Sequence, residues 1–219
     1  MAEITTRVCG VTLESVFKKA VLFRDAQFDA VAQKSLETFG SYGLRPLQIV
    51  ARSGDQAFNY DLSFSFFSGN ATFRISSEKL DISLQNATSD KDLEIVQDCV
   101  AKVYEHLPLP EIGHSAVSVN AHATFRSIEE MQRYLSKYAN PSMQVVVAGV
   151  TAYIRCQNWS EEIRLSIDRS LAYQEGIFLV WSTTYRGNKL SRELLKTLAD
   201  VLAEAAAKVD LAFSKNVSQ

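Results

Sequence analysis

The amino-acid sequence predicts an α+β fold in which helices cover antiparallel sheets. Three observations predict it. Apolar and polar residues alternate over many short segments, other segments carry apolar residues at helical spacing, and one order of elements occurs twice. That order is strand, helix, a run of alternating strands and a closing helix. We therefore expect two similar units, residues 1–109 and 110–219, related by a pseudo-twofold axis or merged into one compact domain.

The first half begins with a strand and a helix. Val11, Leu13 and Phe17 mark a strand by their alternation, and residues 28–39 form the predicted helix. An antiparallel meander follows, because short polar turns interrupt the alternation. A closing helix is predicted behind a cap at Thr88 or Ser89, where apolar residues recur every three or four positions. The meander strands and closing helix are expected at 47–52, 58–66, 71–75, 80–84 and 90–107.

The second half repeats this order. After a strand and a helix come three long strands, the first preceded by a bulge at Gly149 and a short strand at 145–147. A final helix over residues 191–213 would be about 35 Å long at about 1.5 Å per residue. The strands and the earlier helix are expected at 117–125, 128–138, 150–156, 163–167 and 177–185.

Composition and charge place the chain among ordinary globular proteins. It has 47% hydrophobic residues, 22% charged residues and a formal net charge of −2. Residues before Pro110 include 11 basic and 14 acidic side chains, and later residues include 12 and 11. Because affinity for a phosphate backbone needs clustered Lys and Arg, we expect no nucleic-acid partner. No apolar run approaches the roughly 18 residues of a membrane-spanning helix, and the sequence has no secretory signal, so we also expect a cytoplasmic protein without membrane insertion.

The motifs of common catalytic and metal sites are absent from the sequence. His114 and His122 lie eight residues apart on one predicted strand, which separates them by about 26 Å. The two cannot bind the same ion, so they do not form a metal site with His106. No phosphate loop or nucleophile elbow is present. We therefore predict no catalytic residues, no metal and no cofactor.

The best candidate site is the polar face of the second predicted sheet. A strand with Val150 and Ile154 on its buried face would turn Tyr153 and Arg155 outward, and the next strand would place Arg164 and Asp168 beside them. Arg186 follows the third strand. Guanidinium groups suit a carboxylate or a phosphate, because Arg presents a planar fork of donors. The alternative is a solvated face with cross-strand charge pairs.

Two functional hypotheses follow from these patterns. The first is a non-catalytic cytoplasmic binding or assembly protein, with itself or another protein as partner, since strand edges and an alanine-rich last helix offer surfaces for association. The second is an enzyme or carrier of a small anionic or amphipathic ligand. That ligand would bind on the second sheet or in a cavity lined by an aromatic stripe, which is otherwise plain core: Phe58, Tyr60, Phe64, Phe66 and Phe73.

Overall fold

A computed structural model describes residues 1–21, 25–53, 60–66, 70–85, 90–107, 109–138, 149–157, 159–186 and 192–213. Four helices and ten strands occur in these ranges, and the strand pairing is mostly antiparallel. The predicted α+β class is thereby confirmed. The internal repeat and the pseudo-twofold relationship stay predictions. The helices are α1 (Asp25–Phe39), α2 (Asp90–His106), α3 (Ile128–Ser136) and α4 (Arg192–Ala207).

The strands follow the predicted alternation, with bounds that differ by a few residues at most ends. They are β1 (Ala2–Phe17), β2 (Ile49–Ser53), β3 (Tyr60–Phe66), β4 (Ala71–Ser76), β5 (Lys79–Gln85), β6 (Ile112–Thr124), β7 (Val150–Ile154), β8 (Ile163–Arg169), β9 (Gly176–Tyr185) and β10 (Leu211–Phe213). The strand predicted at 145–147 lies outside the described residues.

The chain forms two compact units, and each draws on segments that are distant in sequence. Unit 1 contains residues 1–9, 118–184 and 196–219, and unit 2 contains residues 10–117 and 185–195. The boundary predicted between residues 109 and 110 stays a prediction. No helix in the described part of the chain is long and apolar enough to cross a membrane.

Unit 2 is built on the antiparallel order β2, β3, β4, β5, β1, and α1 packs against α2 and β3. Phe64 and Phe73 stack at a centroid distance of 4.5 Å, and Phe39 of α1 lies 5.6 Å from Phe64. Phe64 and Phe73 are 2% and 1% exposed, so the described part of the aromatic stripe is core. Phe58 lies outside the described residues, and the side chains of Tyr60 and Phe66 are not described.

The outward face of the unit 2 sheet carries charges of both signs. Lys79 lies 2.5 Å from a Glu14 carboxylate oxygen and 3.4 Å from one of Asp81. The hydrogen bond from Lys79 lowers the pKa of Glu14, whereas burial raises the pKa of Asp81. Arg74 pairs in register with Asp81. This face of the unit 2 sheet is therefore mixed in charge.

Unit 1 contains the strand order β10, β1, β6, β9, β8, β7, with β10 parallel to β1. One face of this sheet buries Leu165, Ile167 and Leu179 at 0 to 1% exposure. Helix α4 lies on that face, because the buried Cys156 thiol contacts the carbonyl oxygen of Val201 at 3.6 Å. Both helices of this unit contribute to the core through Met131, Tyr134, Leu135, Val201, Ala205 and Ala206.

The long final helix predicted at residues 191–213 is wrong at its carboxyl end. Helix α4 stops at Ala207, about 24 Å after it begins. Asp210 then takes a left-handed conformation with φ of 62°. The next three residues form β10, where Leu211 pairs with Ala2. Backbone hydrogen bonds to an available strand edge therefore replace the last helical turns, although the apolar spacing is compatible with a helix.

We predict that Gly176→Ala destabilises the protein by about 1 to 3 kcal/mol through overpacking. A Cβ at this position would lie 2.8 Å from Cβ of Tyr173 and 3.1 Å from Cβ of Ser170. Urea unfolding checks the free-energy change. Gly149→Ala is the matched control in the same unit, because its Cβ would meet no atom closer than 3.6 Å. Equal stability of the two variants would contradict the expected overpacking around a Cβ at Gly176.

Lys79→Met is expected to raise the pKa of Glu14 from its lowered value. A lowered pKa contributes stability that is present above the ordinary value of 4.5 and is lost as the pH falls through the folded-state pKa. In the variant, the free energy of unfolding should therefore lose the part of its pH dependence in acid that comes from Glu14. Carboxyl chemical shifts followed by NMR during a pH titration measure the pKa directly. An unchanged Glu14 pKa would show that Lys79 does not hold this carboxylate.

Candidate functional site

The candidate site lies on the outer face of the unit 1 sheet, which we define as the face opposite the buried one. Strand alternation determines which side chains reach it. Ile154, Leu165 and Ile167 are buried, so their neighbours along β7 and β8 point the other way. The outward residues of β7, β8 and β9, together with Arg155 just after β7, are Thr151, Tyr153, Arg164, Ser166, Asp168, Phe178, Val180, Ser182 and Thr184.

Tyr153 and Arg164 form the centre of the predicted site. They are direct partners in the antiparallel register of β7 and β8. Tyr153 is 70% exposed, and it is the one aromatic residue among the exposed large apolar side chains of the described residues. Arg164 is also exposed and has no carboxylate within ion-pair distance among those residues. A solvent-exposed aromatic ring therefore lies beside a guanidinium that has no carboxylate partner among the described residues.

Arg155 and Asp168 flank this pair, and both have partners. The Arg155 guanidinium lies 3.1 Å from the Glu162 carboxylate, and the two side chains are exposed. This is the cross-strand type of pair that the alternative interpretation expected, and such exposed pairs contribute less than about 1 kcal/mol. Asp168 accepts a hydrogen bond from the backbone N–H of Arg169 at 2.7 Å. It lies opposite Phe178 in the register of β8 and β9.

Arg186 belongs to unit 2, whereas the other four predicted residues belong to unit 1. The structure therefore groups Tyr153, Arg155, Arg164 and Asp168 on one sheet face and assigns Arg186 elsewhere. A prediction from sequence could not make this division, because Arg186 follows β9 directly along the chain.

The connection between β7 and β8 is held in place from two sides, which positions the Arg155 end of the site. Trp159 is 8% exposed, and its indole N–H donates to the hydroxyl of Thr183 at 2.8 Å. The backbone N–H of Gln157 donates to the Glu204 carboxylate of α4 at 3.1 Å. Hydrogen bonds from Lys208 and from Gln157 lower the pKa of Glu204, so this acceptor is charged at neutral pH. The hairpin therefore offers a preorganised edge to the outer face.

A second cluster on this face, which the sequence analysis did not identify, surrounds His122. The outward His122 of β6 lies between Ala121 and Ala123, which are buried. Its ring lies 5.0 Å from the ring of Phe178 and 5.4 Å from that of Tyr173. Arg7 donates a hydrogen bond to the Tyr173 hydroxyl at 3.1 Å. The alternation of β6 signals the outward His122, but nothing in the sequence places Arg7 beside Tyr173.

The hydrogen bonds of Ser170 determine the form of the His122 ring. The Ser170 hydroxyl oxygen accepts from the backbone N–H groups of Ala172 and Tyr173, both at 3.1 Å. It lies 2.9 Å from Nδ1 of His122. With both lone pairs occupied, the hydroxyl has only its proton to offer, so it donates to Nδ1. The neutral imidazole therefore carries its own proton on Nε2.

Several other hydroxyl and thiol groups of the described residues are buried in the core. Ser15, Tyr104 and Ser115 form a buried hydroxyl cluster in unit 2, and burial raises the pKa of Tyr104. Cys99 and Cys156 are buried free thiols, and burial raises the pKa of Cys99 to about 12. Among the described residues, no group of three or more His, Cys, Asp or Glu side chains is arranged to hold a metal ion.

No protein-family model and no curated relative matches the chain. Among solved structures, the chain is similar to a rolling circle replication initiator protein from Geobacillus stearothermophilus. The match covers 99% of this chain and 89% of that chain, at 7% identity and a TM-score of 0.34. At these values the similarity transfers no residue role.

This comparison contradicts two expectations from the sequence. A replication initiator conflicts with the hypothesis of a non-catalytic, self-associating assembly protein that has protein or small-molecule partners and no nucleic-acid partner. The exclusion of nucleic acid rested on the net charge of each half. Net charge averages over about 110 residues, whereas a nucleic-acid contact depends on a few side chains of one face. A near-neutral net charge therefore does not exclude a local nucleic-acid contact.

We predict that NMR shows the neutral imidazole of His122 as the Nε2–H tautomer. The reason is that Ser170 donates its only proton to Nδ1. Nitrogen chemical shifts of the labelled imidazole ring distinguish the two tautomers. Ser170→Ala should abolish the preference. Ser166→Ala is the matched control on β8, the strand that ends just before Ser170, because Ser166 bonds to Thr151 instead. An Nδ1–H tautomer in the unmodified protein would contradict this hydrogen-bond assignment.

Proposed function

We propose that the outer face of unit 1 binds single-stranded nucleic acid. The observation that carries the proposal is the register pair of Tyr153 and Arg164, an aromatic ring exposed to 70% beside a guanidinium without a carboxylate partner among the described residues. Aromatic rings on an open sheet stack unpaired bases, and neighbouring Arg side chains contact the backbone. A ring and a guanidinium at adjacent positions supply both interactions.

The shape of the surface favours a single strand over a duplex. Stacking on Tyr153 requires a base whose faces are accessible, and the bases of a duplex are already stacked on each other. The outer face is a sheet surface, while helices α3 and α4 contribute their buried residues to the core of the same unit. Readout of a major groove usually needs an element that projects into the groove. A sheet surface suits bases that are spread across it.

The charged residues around the pair have distinct roles in this proposal. Arg164 contacts a phosphate, and Arg155 supports it from the hairpin edge, with its charge partly balanced by Glu162. Asp168 repels phosphates but accepts hydrogen bonds, so it contacts the amino groups of bases instead. The ligand would therefore lie with its backbone toward Arg155 and Arg164 and its bases toward Asp168.

Tyr153→Ala is expected to weaken binding of a fluorescent single-stranded 12-mer about 5- to 150-fold, since stacking of one base is worth about 1 to 3 kcal/mol. Tyr153→Phe keeps the ring and should bind like the unmodified protein. Arg164→Ala should weaken binding and make the slope of log K against log salt shallower by about 0.7, the value for one phosphate of a single strand. Fluorescence anisotropy at several salt concentrations measures both quantities.

Arg133→Ala is the matched control, because it removes the same charge from the exposed side of helix α3. It should change neither the affinity nor the slope beyond the small effect of net charge. The proposal fails if the unmodified protein binds neither DNA nor RNA single strands. It also fails if Arg133→Ala and Arg164→Ala weaken binding equally, since that result would indicate a nonspecific effect of charge.

A further inference from the structure

The cluster of Arg7, His122 and Tyr173, which we call the donor cluster, offers only donors to a ligand. Tyr173 accepts the hydrogen bond from Arg7, so the phenol proton remains to be donated. Ser170 occupies Nδ1 of His122 and leaves the Nε2–H. Arg7 has further N–H groups and no carboxylate within ion-pair distance among the described residues. Three donors in one cluster fit a ligand that only accepts.

We propose that the donor cluster is a second contact of the nucleic-acid strand, where it binds a backbone phosphate. The inference rests on the proposed function of the outer face. A phosphate diester offers oxygen acceptors and a negative charge, which matches a guanidinium beside a phenol and an imidazole N–H. Base edges offer donors as well as acceptors, so a cluster without a free acceptor suits them less.

The turn between β8 and β9 builds this cluster before any ligand arrives. The backbone N–H of Ser170 donates to Gly176 at 2.9 Å, and that of Gly176 donates to Tyr173 at 3.1 Å. The Ser170 hydroxyl caps the same turn and orients His122. Donors that are already positioned cost little conformational entropy on binding. The turn therefore acts as a preformed holder for an anion.

Two carboxylates neighbour the donor cluster through strand register or sequence, and we expect a phosphate to approach from the side away from them. Asp168 faces Phe178 across the register, and Phe178 contacts His122. Glu175 precedes Gly176 in the turn and is half-buried. Glu3 is already paired with Arg126. Arg7 therefore remains the cation of the cluster, and we expect the phosphate on its side, away from Asp168.

The separation of the two contacts predicts the length of the strand. Arg164 and Asp168 are four residues apart on β8, about 13 Å, and β9 is two strand spacings from β7, about 10 Å. Because Tyr153 pairs with Arg164 and Phe178 with Asp168, Tyr153 and Phe178 are about 16 Å apart. His122 of the donor cluster lies on β6, one strand spacing of about 5 Å beyond β9. Short single-strand sites begin at about four nucleotides. A strand of about four to five nucleotides would therefore reach from Tyr153 to the donor cluster.

A series of fluorescent oligothymidylates from two to ten nucleotides tests this inference. The unmodified protein should gain affinity sharply at about four to five nucleotides. Arg7→Ala should remove that gain, weaken binding of the 10-mer about tenfold and reduce its salt slope by about 0.7. Tyr173→Phe, which loses only the hydroxyl, should weaken the 10-mer about fivefold. Neither variant should affect the dinucleotide.

Each outcome of the series separates the two proposals. If Arg164→Ala weakens binding while Arg7→Ala and Tyr173→Phe behave like Arg133→Ala, the outer face binds the strand but the donor cluster does not. If Arg7→Ala weakens all lengths equally, its effect is general and the phosphate contact is wrong. If the unmodified protein binds no oligothymidylate and no mixed-sequence strand, the proposed function fails and the phosphate contact fails with it.

Discussion

One-sided burial of the unit 1 sheet is the constraint on which the candidate site depends. Residues alternate strictly along a strand, so covering one face with helices commits every second side chain to the other face. Ile163, Leu165 and Ile167 are almost completely buried, and a register slip of one residue would exchange them with Arg164 and Asp168. The core therefore holds the polar face in place, because burying those charges without partners would be costly.

Local hydrogen bonds then refine what the core has positioned. The turn between β8 and β9 has no side chain at Gly176, because a Cβ there would collide with Tyr173 and Ser170. Ser170 in turn selects the tautomer of His122. These contacts are separate from the apolar core, yet they determine which hydrogen-bonding groups the face presents. Packing determines where a side chain lies, and the hydrogen bonds it already makes determine which donors and acceptors remain for a ligand.

The errors of the sequence analysis have physical causes. The final helix was predicted too long because helical spacing records apolar periodicity, and periodicity does not include the competing strand edge that pairs with β10. Nucleic acid was excluded on the net charge of each half, although a net charge does not show where the charged side chains lie. Arg7 was overlooked because the first strand was expected to begin near Val11, whereas β1 begins at Ala2.

Sequence alone determined the α+β class, most strands and helices, and the outward position of Tyr153, Arg155, Arg164 and Asp168. It could do so because burial of one face leaves a period of two or of 3.6 in the residues themselves. Only the tertiary structure decided that Tyr153 lies opposite Arg164, that Arg186 belongs to another unit, and that Arg7 meets Tyr173 across 166 residues. Register and long-range contact depend on how distant segments pair, and that pairing leaves no periodic trace along the chain.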